Sequence, residues 1–152
     1  MSLRGFSTIN FWADDVQAAA DWYTQFLGIE PYFTRSGPDG KLAYAEFRIG
    51  DYQHELGIID NRYRPAHSAT DGARSAPNGA VMYWHVDELD GTIERLLALG
   101  AAEYEPVTVR GEGFVTASVV DPFGNLLGVM NNPHYLEVLD AAGERQQGSG
   151  AG

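Results

Sequence analysis

The sequence predicts an α+β protein made of two copies of one βαβββ module, and three observations support this fold class. Residues 6–28 and 78–101 both run from a strand-like alternation through an aspartate into a helical pattern that ends at a glycine. Two strand-like segments follow each copy, within residues 42–60 and 114–131. The two copies are 72 residues apart, so the chain reads as an internal repeat.

The helix of each copy has the same predicted start and stop. Asp15 and Gly28 are 13 residues apart, and so are Asp87 and Gly100. Each aspartate suits an N-cap, because its carboxylate accepts hydrogen bonds from amides of the first turn. Each glycine suits the left-handed position that follows a helix. The apolar stripes between them are Val16, Ala19, Ala20, Tyr23 and Leu27 in the first copy and Leu89, Ile93, Leu96 and Leu97 in the second.

Turn-rich segments divide the chain into four parts. We expect a first module over 1–60, a linker or excursion over 61–78 and a second module over 79–135, together forming one structural domain. The segment 136–152, which ends in GERQQGSGAG, is predicted to be a flexible tail that is frayed after Leu139.

Composition and charge limit the partners that the protein can have. The formal net charge of −11 disfavours nucleic acid and favours neutral or cationic small molecules, although acidity also simply keeps a protein soluble. The chain has no cysteine, so a disulfide or a thiolate metal site is ruled out. The sequence has neither a secretory signal nor a long apolar run, which predicts a cytoplasmic protein with no membrane partner.

The repeated motifs resemble the vicinal oxygen chelate superfamily, which includes glyoxalase I, extradiol dioxygenases and bleomycin-resistance proteins. The motifs that carry this resemblance are DDVQAAADWYTQFLG, VDELDGTIERLLALGA and VVDPFGNLLGVM, and with their flanking strands they cover the chain to about Tyr135. The resemblance implies two βαβββ modules that form an open, curled mixed sheet around a shared cavity. It also implies a homodimer, since members of the family often dimerise.

The resemblance also locates the four positions at which metal-dependent members carry ligands. They fall on Thr8, on Glu55 or Gly57, on Val81 and on Gly128, depending on how the fourth strand is matched. A divalent cation needs several nitrogen or oxygen donors, and Val81 and Gly128 supply none from their side chains. We therefore predict no metal site and no cofactor.

If these positions face the cavity, their neighbours two residues away face it too. Gly57 and Gly128 would then leave room for a drug-sized, partly aromatic ligand. The predicted ligand-binding residues are Thr8, Asn10, Trp12, Gln53, Gly57, Val81, Tyr83, His85, Leu126, Gly128 and Met130, with Ile59 on the same face.

Glu55 is the predicted catalytic residue, because it keeps an acidic side chain at a family ligand position. It would act as a general base or pair with a ligand cation; alternatively, it is paired internally with Arg48 or with a backbone amide. His85 is a second candidate, although a lone strand histidine is more often structural. His67 and His134 could reach the mouth of the cavity, and the sequence does not decide their role.

Three functions remain open at this point. The first is a metal-free binding protein that holds a hydrophobic, aromatic or cationic small molecule, as in antibiotic sequestration. The second is a lyase or isomerase that uses Glu55 as a base or has an atypical metal site. The third is a structural or regulatory domain whose own side chains close the cavity.

Overall fold

The computed structural model describes residues 6–64 and 81–148. This part of the chain holds three α-helices and eight β-strands in two four-stranded mixed sheets, which confirms the α+β class and the two βαβββ modules. The elements are β1 (Thr8–Ala13), α1 (Val16–Leu27), β2 (Phe33–Ser36), β3 (Leu42–Ile49), β4 (His54–Asp60), β5 (Tyr83–His85), α2 (Leu89–Ala98), β6 (Ala102–Gly111), β7 (Phe114–Val120), β8 (Leu126–Asn131) and α3 (Pro133–Gly148), with a short 3-10 helix at Asn61–Tyr63.

The chain divides into two compact units. Of the described residues, the first unit contains 6–64 and also the turn Pro122–Asn125, and the second contains 81–121 and 126–148. The turn belongs to the first unit because Asn125 binds β1 there: its Oδ1 accepts from the Trp12 amide and its Nδ2 donates to the Trp12 carbonyl, both at 2.9 Å. Residues Pro122–Asn125 of the DPFGN turn in the second repeat are therefore part of the structure of the first unit.

In the first unit the strands lie in the order β1-β4-β3-β2, and β1 runs parallel to β4. Strand residues alternate between the two faces of the sheet, and one face is covered by α1. Tyr23 of the helix is fully buried, with its ring 6.0 Å from that of Phe11 and 6.5 Å from that of Phe47. The buried residues of this core include Phe11, Ala13, Val16, Ala19, Ala20, Tyr23, Ala45, Phe47, Leu56 and Ile58.

Helix α1 begins and ends where the sequence predicts. The Asp15 carboxylate accepts from the Ala18 amide at 3.0 Å, which satisfies one of the amides that a helix start leaves unpaired. Gly28 has φ of 71°, and its amide donates to the Thr24 carbonyl at 2.9 Å. The N-cap and the glycine stop of the first copy are both confirmed.

The second unit repeats this arrangement. Its strands lie in the order β5-β8-β7-β6, with β5 parallel to β8, and Leu96 of α2 is fully buried against the sheet. Tyr83 pairs with Gly128 as Asn10 pairs with Gly57, so the two glycines are equivalent in the two units.

The predicted N-cap at Asp87 is wrong. Helix α2 begins one residue later than expected, with Glu88 at the cap position and no side-chain cap hydrogen bond. The Val86 amide extends the strand pairing to the Met130 carbonyl at 3.0 Å, and the Asp87 side chain is 93% exposed. The stop is correct, because Gly100 takes φ of 93°. Extended strand pairing thus displaces the start of the helix without moving its end.

Asp15→Ala is expected to lower the free energy of unfolding by about 0.5–2 kcal/mol, because the Ala18 amide loses its acceptor. Asp87→Ala removes a carboxylate that caps no helix, so it serves as the matched control and should change the free energy of unfolding by less than about 0.5 kcal/mol. Urea unfolding of both variants measures the difference. Equal losses in the two variants would contradict the assignment of the caps.

Three further expectations differ from the structure. Gln53 lies in the turn before β4 with φ of 53°, and its amide group donates to the Gly50 carbonyl, so it is not on the strand. Val81 precedes β5, which holds only Tyr83–His85. The predicted fraying of the tail is wrong as far as Gly148, because α3 occupies Pro133–Gly148. The helix has a recognisable start, since Asn132 accepts from the Tyr135 amide and proline favours the first helical position.

The predicted linker is described only up to Arg64, and His67 lies outside the described residues. None of the helices in the described ranges is long and apolar enough to cross a membrane.

Candidate functional site

The face of the first sheet opposite α1, called the open face here, gathers most of the site residues predicted in this unit. Thr8 pairs with Glu55, Asn10 with Gly57 and Trp12 with Ile59, so the side chains of these pairs point to one side. The outer positions Thr8 and Asn10 are exposed, whereas Phe11 and Leu56 on the other face are buried. The predicted grouping of Thr8, Asn10, Trp12, Glu55 and Gly57 on one face therefore agrees with the strand register.

Glu55 is hydrogen-bonded and half-buried. The Thr8 hydroxyl donates to its Oε2 at 2.8 Å, and the side chain of Glu55 is 29% exposed. Its Oε1 lies 4.0 Å from a guanidinium nitrogen of Arg48 and 3.3 Å from the hydroxyl of Tyr32. The pairing with Arg48 that the sequence left open is present, but at a distance that leaves the carboxylate available to a closer cation.

A second carboxylate, Glu46, lies on the same face and was not identified from the sequence. It is only 9% exposed and accepts hydrogen bonds from two phenols, the hydroxyl of Tyr32 at Oε1 and that of Tyr44 at Oε2. Glu46 pairs with Gly57 across β3 and β4, and Arg48 pairs with Glu55, so Glu46 lies opposite the glycine and diagonal to Glu55 on the open face. The two phenols give each oxygen of this buried carboxylate a hydrogen-bond partner.

The tyrosines around Glu46 hold their protons tightly. The hydrogen bond to Glu46 is the main reason that the pKa of Tyr32 rises from 10.0 to about 12, with burial and the charges of Glu46 and Glu55 adding to it. Burial is the largest cause of the raised pKa of Tyr44, followed by its hydrogen bond to Glu46. Both phenols therefore remain hydrogen-bond donors at neutral pH.

This arrangement predicts a loss of stability at high pH. The folded state binds the Tyr32 proton more tightly than the unfolded chain, so the contribution is complete below pH 10.0 and is lost as the pH rises through about 12. The difference in phenolate absorbance between the parent and Tyr32→Phe should show a single ionisation near pH 12.

Glu46→Gln is the control for this titration. It keeps the shape of the side chain and removes the charge, so the midpoint of the Tyr32 titration should move down towards its ordinary value of 10.0. A midpoint that is the same with and without the Glu46 charge would contradict the assigned cause.

The space above Gly57 is filled by the chain itself. A Cβ at this position would stand 2.5 Å from the Asn10 Oδ1 and 2.9 Å from the Tyr44 hydroxyl. The expectation that this glycine leaves room for a ligand is therefore wrong, since its missing side chain lets Asn10 and Tyr44 approach the sheet. A ligand on this face would contact those two side chains rather than the backbone of β4.

Trp12, at the other end of β1, is half-buried and carries the guanidinium of Arg64 5.9 Å from the centre of its ring. An arginine over an indole face is a favourable cation–π arrangement. The ring is therefore already in contact with a cation on its outer side, which fits a surface that attracts positive charge.

The face of the second sheet that carries Tyr83 and Gly128 differs in its chemistry from the open face of the first sheet. The Tyr83 ring lies over Gly128, where a Cβ would stand 2.7 Å from a ring carbon and 2.6 Å from the Met82 carbonyl oxygen. The Tyr83 hydroxyl donates to Glu105 at 3.3 Å, and Glu105 is also paired with Arg110. Burial raises the pKa of Tyr83, and the charge of Glu105 adds to it. The room expected at Gly128 is thus filled as well. The carboxylate on this face, Glu105, is already paired with Arg110.

His85 is next to Tyr83 on this face and pairs with Met130 across the strands, with Leu126 at the start of β8. Its side chain is 7% exposed, its Nδ1 accepts from the Asn132 amide at 3.0 Å, and its ring stacks on Tyr135 at 5.0 Å. His134 packs its ring against Phe114 at 5.0 Å. Both histidines are held by neighbouring residues of the same unit.

The four family ligand positions do not fit a divalent metal. Thr8 and Glu55 offer one hydroxyl and one carboxylate, which bond to each other, while Val81 and Gly128 offer no side-chain donor. In the described ranges no three histidine, aspartate or glutamate side chains come together in a way that could hold a metal ion. The set of donors lacks the number of ligands that zinc, manganese or iron ordinarily requires.

The sequence did contain a signal for Glu46. Segment 42–50 alternates, with Tyr44, Glu46 and Arg48 on one side and Ala45 and Phe47 on the other, so its polar face was readable. What it lacked was the register, because only the pairing of β3 with β4 puts Glu46 beside Glu55. Tyr32 precedes β2 and carried no signal of its own.

Comparison with known proteins gives consistent results. The structure of the glyoxalase family protein from Enterococcus faecalis is 21% identical with a TM-score of 0.62, covering 86% of this chain and 100% of that one. A glyoxalase-related enzyme from Fulvimarina pelagi is 19% identical with a TM-score of 0.61, covering 86% and 90%. TioX from Micromonospora sp. ML1 is 16% identical with a TM-score of 0.60, covering 84% and 98%. At these identities the likeness shows the fold.

No curated protein sequence matches the chain. The model of one family, however, matches residues 5–129, which is most of the chain and includes the three motifs that carried the resemblance, except for Met130 at the end of the last one. The chain belongs to the glyoxalase/bleomycin resistance protein/dioxygenase superfamily.

Proposed function

We propose that the protein binds a cationic, partly aromatic small molecule without a metal, on the open face of the first sheet. The observation that carries this proposal is the pair of carboxylates Glu46 and Glu55 on one face, with Arg48 as their nearby cation. Two negative charges against one positive charge attract a ligand cation. The metal-free part rests on the poor fit of the donor set described above.

The aromatic part of the ligand is inferred from the rings that border the carboxylates. Phe33 and Tyr44 lie with their ring centres 6.1 Å apart, and Phe33 and Tyr32 are 48% and 46% exposed. Exposed rings beside one buried and one half-buried carboxylate suit a ligand that combines a flat apolar part with an amine or guanidine. Sequestration of an antibiotic of this class is the biological role that fits, and it rests on the analogy with resistance proteins.

An enzymatic role is the second candidate, and one observation favours it. The Tyr32 hydroxyl reaches both Glu46 and Glu55, so a proton could pass between the two carboxylates through the phenol. Glu55 would act as the general base and Tyr32 as the donor that returns the proton, as a lyase or isomerase requires. Unchanged ligand after prolonged incubation distinguishes binding from turnover.

A screen by native mass spectrometry tests the proposal. The purified chain is mixed with a panel of organic cations, neutral aromatics and organic anions of drug-like size, and bound mass is recorded. We expect retention of cations that carry a ring. Retention of anions alone, or of no member of the panel, would overturn the proposal, and near-stoichiometric metal would overturn its metal-free part.

The same spectra report the oligomeric state. We propose a homodimer, because β2 and β6 are edge strands of their sheets and expose apolar side chains, among them Val109 at 75%. A mass of 16.6 kDa at all concentrations would contradict it. The cytoplasmic location stays an expectation from the sequence.

Glu55→Gln is expected to weaken the binding of a retained cation by roughly ten- to a hundredfold, as the loss of a charged hydrogen-bond partner does elsewhere. Glu55→Gln preserves the shape of the side chain, so the loss of affinity measures the contribution of the carboxylate charge. Glu94→Gln, an exposed change on α2, is the matched control and should leave the affinity unchanged. Calorimetric titration measures both. Equal affinities for the parent and Glu55→Gln would exclude the carboxylate from the site.

A further inference from the structure

The start of helix α3 is attached to His85. The amide of Asn132 donates to the Nδ1 of His85 at 3.0 Å, while the carbonyl and the side-chain oxygen of Asn132 accept from the Tyr135 amide at 3.1 and 3.3 Å. Asn132 is therefore the N-cap of α3, with Pro133 as the first helical residue. His85 satisfies the amide of the residue on which the whole helix begins.

The ring of His85 is enclosed and incompletely hydrogen-bonded. It stacks on Tyr135 at an interplanar angle of 17°, and its side chain is 7% exposed. Because Nδ1 accepts, the hydrogen-bond pattern assigns the proton of the neutral ring to Nε2. Nε2 is buried and has no hydrogen-bond partner among the residues that the structure describes. A buried donor without an acceptor is uncommon and calls for a functional explanation.

Helix α3 lies outside the part of the chain that matches the family. The match ends at residue 129, whereas α3 begins at Pro133, and His85 lies within the match. The contact therefore joins the shared fold to a helix that the family model does not include.

We propose that His85 is a pH-sensitive latch for α3: the neutral ring holds the helix start in place, and protonation releases it. A protonated ring carries a hydrogen on both nitrogens, so Nδ1 could no longer accept from Asn132, and two N–H groups would face each other. Release would expose the face of His85 that Tyr135 now covers.

The charges around the ring decide the direction of this effect. Among the described residues, the ionisable groups against the ring are the Asp87 carboxylate, 3.8 Å from Nε2, and the phenol of Tyr135 in α3. The other neighbours, Met130 of β8 and Asn132 before α3, are uncharged. Asp87 favours protonation, but its side chain is 93% exposed, and such pairs are weak. Protonation would cost the hydrogen bond from the Asn132 amide and would put a charge on an enclosed ring.

Docking and protonation therefore compete for Nδ1, which accepts from the Asn132 amide in the docked state and would carry a hydrogen in the protonated ring. By linkage, docking is complete above the range in which histidine titrates and is lost as the pH falls through it. This latch does not rest on the proposed ligand site, and its test needs no ligand.

Amide hydrogen exchange, followed by NMR and corrected for intrinsic rates, tests the latch on the full chain between about pH 8 and about pH 5. The protection of the Asn132 and Tyr135 amides should fall by up to about tenfold per pH unit once the ring takes up its proton. The Gly28 amide, which caps α1 in the other unit, is the internal reference and should keep its protection. Constant protection at Asn132 across the range would overturn the proposal.

Variants separate His85 from the other histidines. His85→Asn can keep an acceptor near the position of Nδ1 but does not titrate, so Asn132 should stay protected down to the lowest pH. His134→Asn removes the ring that packs on Phe114, and His54→Asn removes the ring that stacks on Tyr52. In both variants the protection of Asn132 should depend on pH as it does in the parent. An unchanged pH response in His85→Asn would refute the latch.

The parent protein supplies a test even if that variant does not fold. NMR titration of the His85 ring in the parent must show a midpoint that coincides with the loss of Asn132 protection. Two separate midpoints would equally overturn the proposal.

Discussion

Gly128→Ala is expected to lower the free energy of unfolding by about 3 kcal/mol, the upper end of what overpacking a core ordinarily costs. The added Cβ would stand 2.6 Å from the Met82 carbonyl oxygen and 2.7 Å from a ring carbon of Tyr83. The carbonyl belongs to the backbone, and the Gly128 amide donates to it at 3.1 Å, so it cannot move without breaking the pairing of β8. Denaturant unfolding monitored by circular dichroism measures the loss.

Two alanine substitutions calibrate this result. Gly57→Ala brings a Cβ to 2.5 Å from the end of the Asn10 side chain and 2.9 Å from the Tyr44 hydroxyl, which can shift more easily than backbone, so its cost should be smaller. Gly91→Ala lies in α2 with open space around the new methyl group, and it should stabilise by about 0.5–1 kcal/mol. If Gly128→Ala and Gly91→Ala changed the free energy of unfolding in the same direction, the close approach at Gly128 would be disproved.

Asn125→Ala is the second change with a large expected effect, a loss of about 2 kcal/mol. The Asn125 side chain accepts from the amide and donates to the carbonyl of Trp12, both at 2.9 Å, as a neighbouring strand would. Trp12 is half-buried, so water only partly replaces these bonds, and an unpaired backbone group costs about 1–3 kcal/mol. The loss of stability should be localised at β1. Amide hydrogen exchange should show this as faster exchange of the Trp12 amide than in the parent.

Asn131→Ala is the matched control for Asn125→Ala. It removes one exposed hydrogen bond, from Asn131 to the Gly113 carbonyl at 2.8 Å, and should cost under about 1 kcal/mol. Asn125→Asp is a further test, because it keeps the acceptor and sets a carboxylate against the Trp12 carbonyl. Stability equal to the parent in both changes at Asn125 would mean that the turn does not support β1.

The expected consequences for binding follow from the same geometry. Asn125 holds the backbone of Trp12, and Trp12 shares the open face with Glu55. The DPFGN motif, which the sequence marks as a turn, thus supports the strand that borders the proposed site. A fall in cation affinity in Asn125→Ala beyond its loss of stability would connect this turn to the proposed function.

Much of the fold was readable from local patterns. The alternation of residues 6–13, the cap at Asp15 and the stop at Gly28 depend on short-range chemistry, so the sequence predicted them correctly. The same reasoning failed at Asp87, because the strand pairing of Val86 with Met130, 44 residues away, decides where the helix can begin. The start of α3 was missed for a different reason: the asparagine and proline of NNPHY are a helix-start signal, but the segment 136–152 that follows was predicted to be a flexible tail.

Other features depended on contacts that no local pattern contains. Period-2 alternation placed Thr8 and Asn10 on one face of their strand, the resemblance to the family added Glu55 to that face, and composition determined that the chain is acidic. Only the register of β3 against β4 brought Glu46 beside Glu55, and only packing decided that Asn10, Tyr44 and Tyr83 fill the space over the two glycines. The physical reason is that a sequence specifies side-chain direction within a strand, whereas neighbours across strands and the volume they occupy are set by long-range packing.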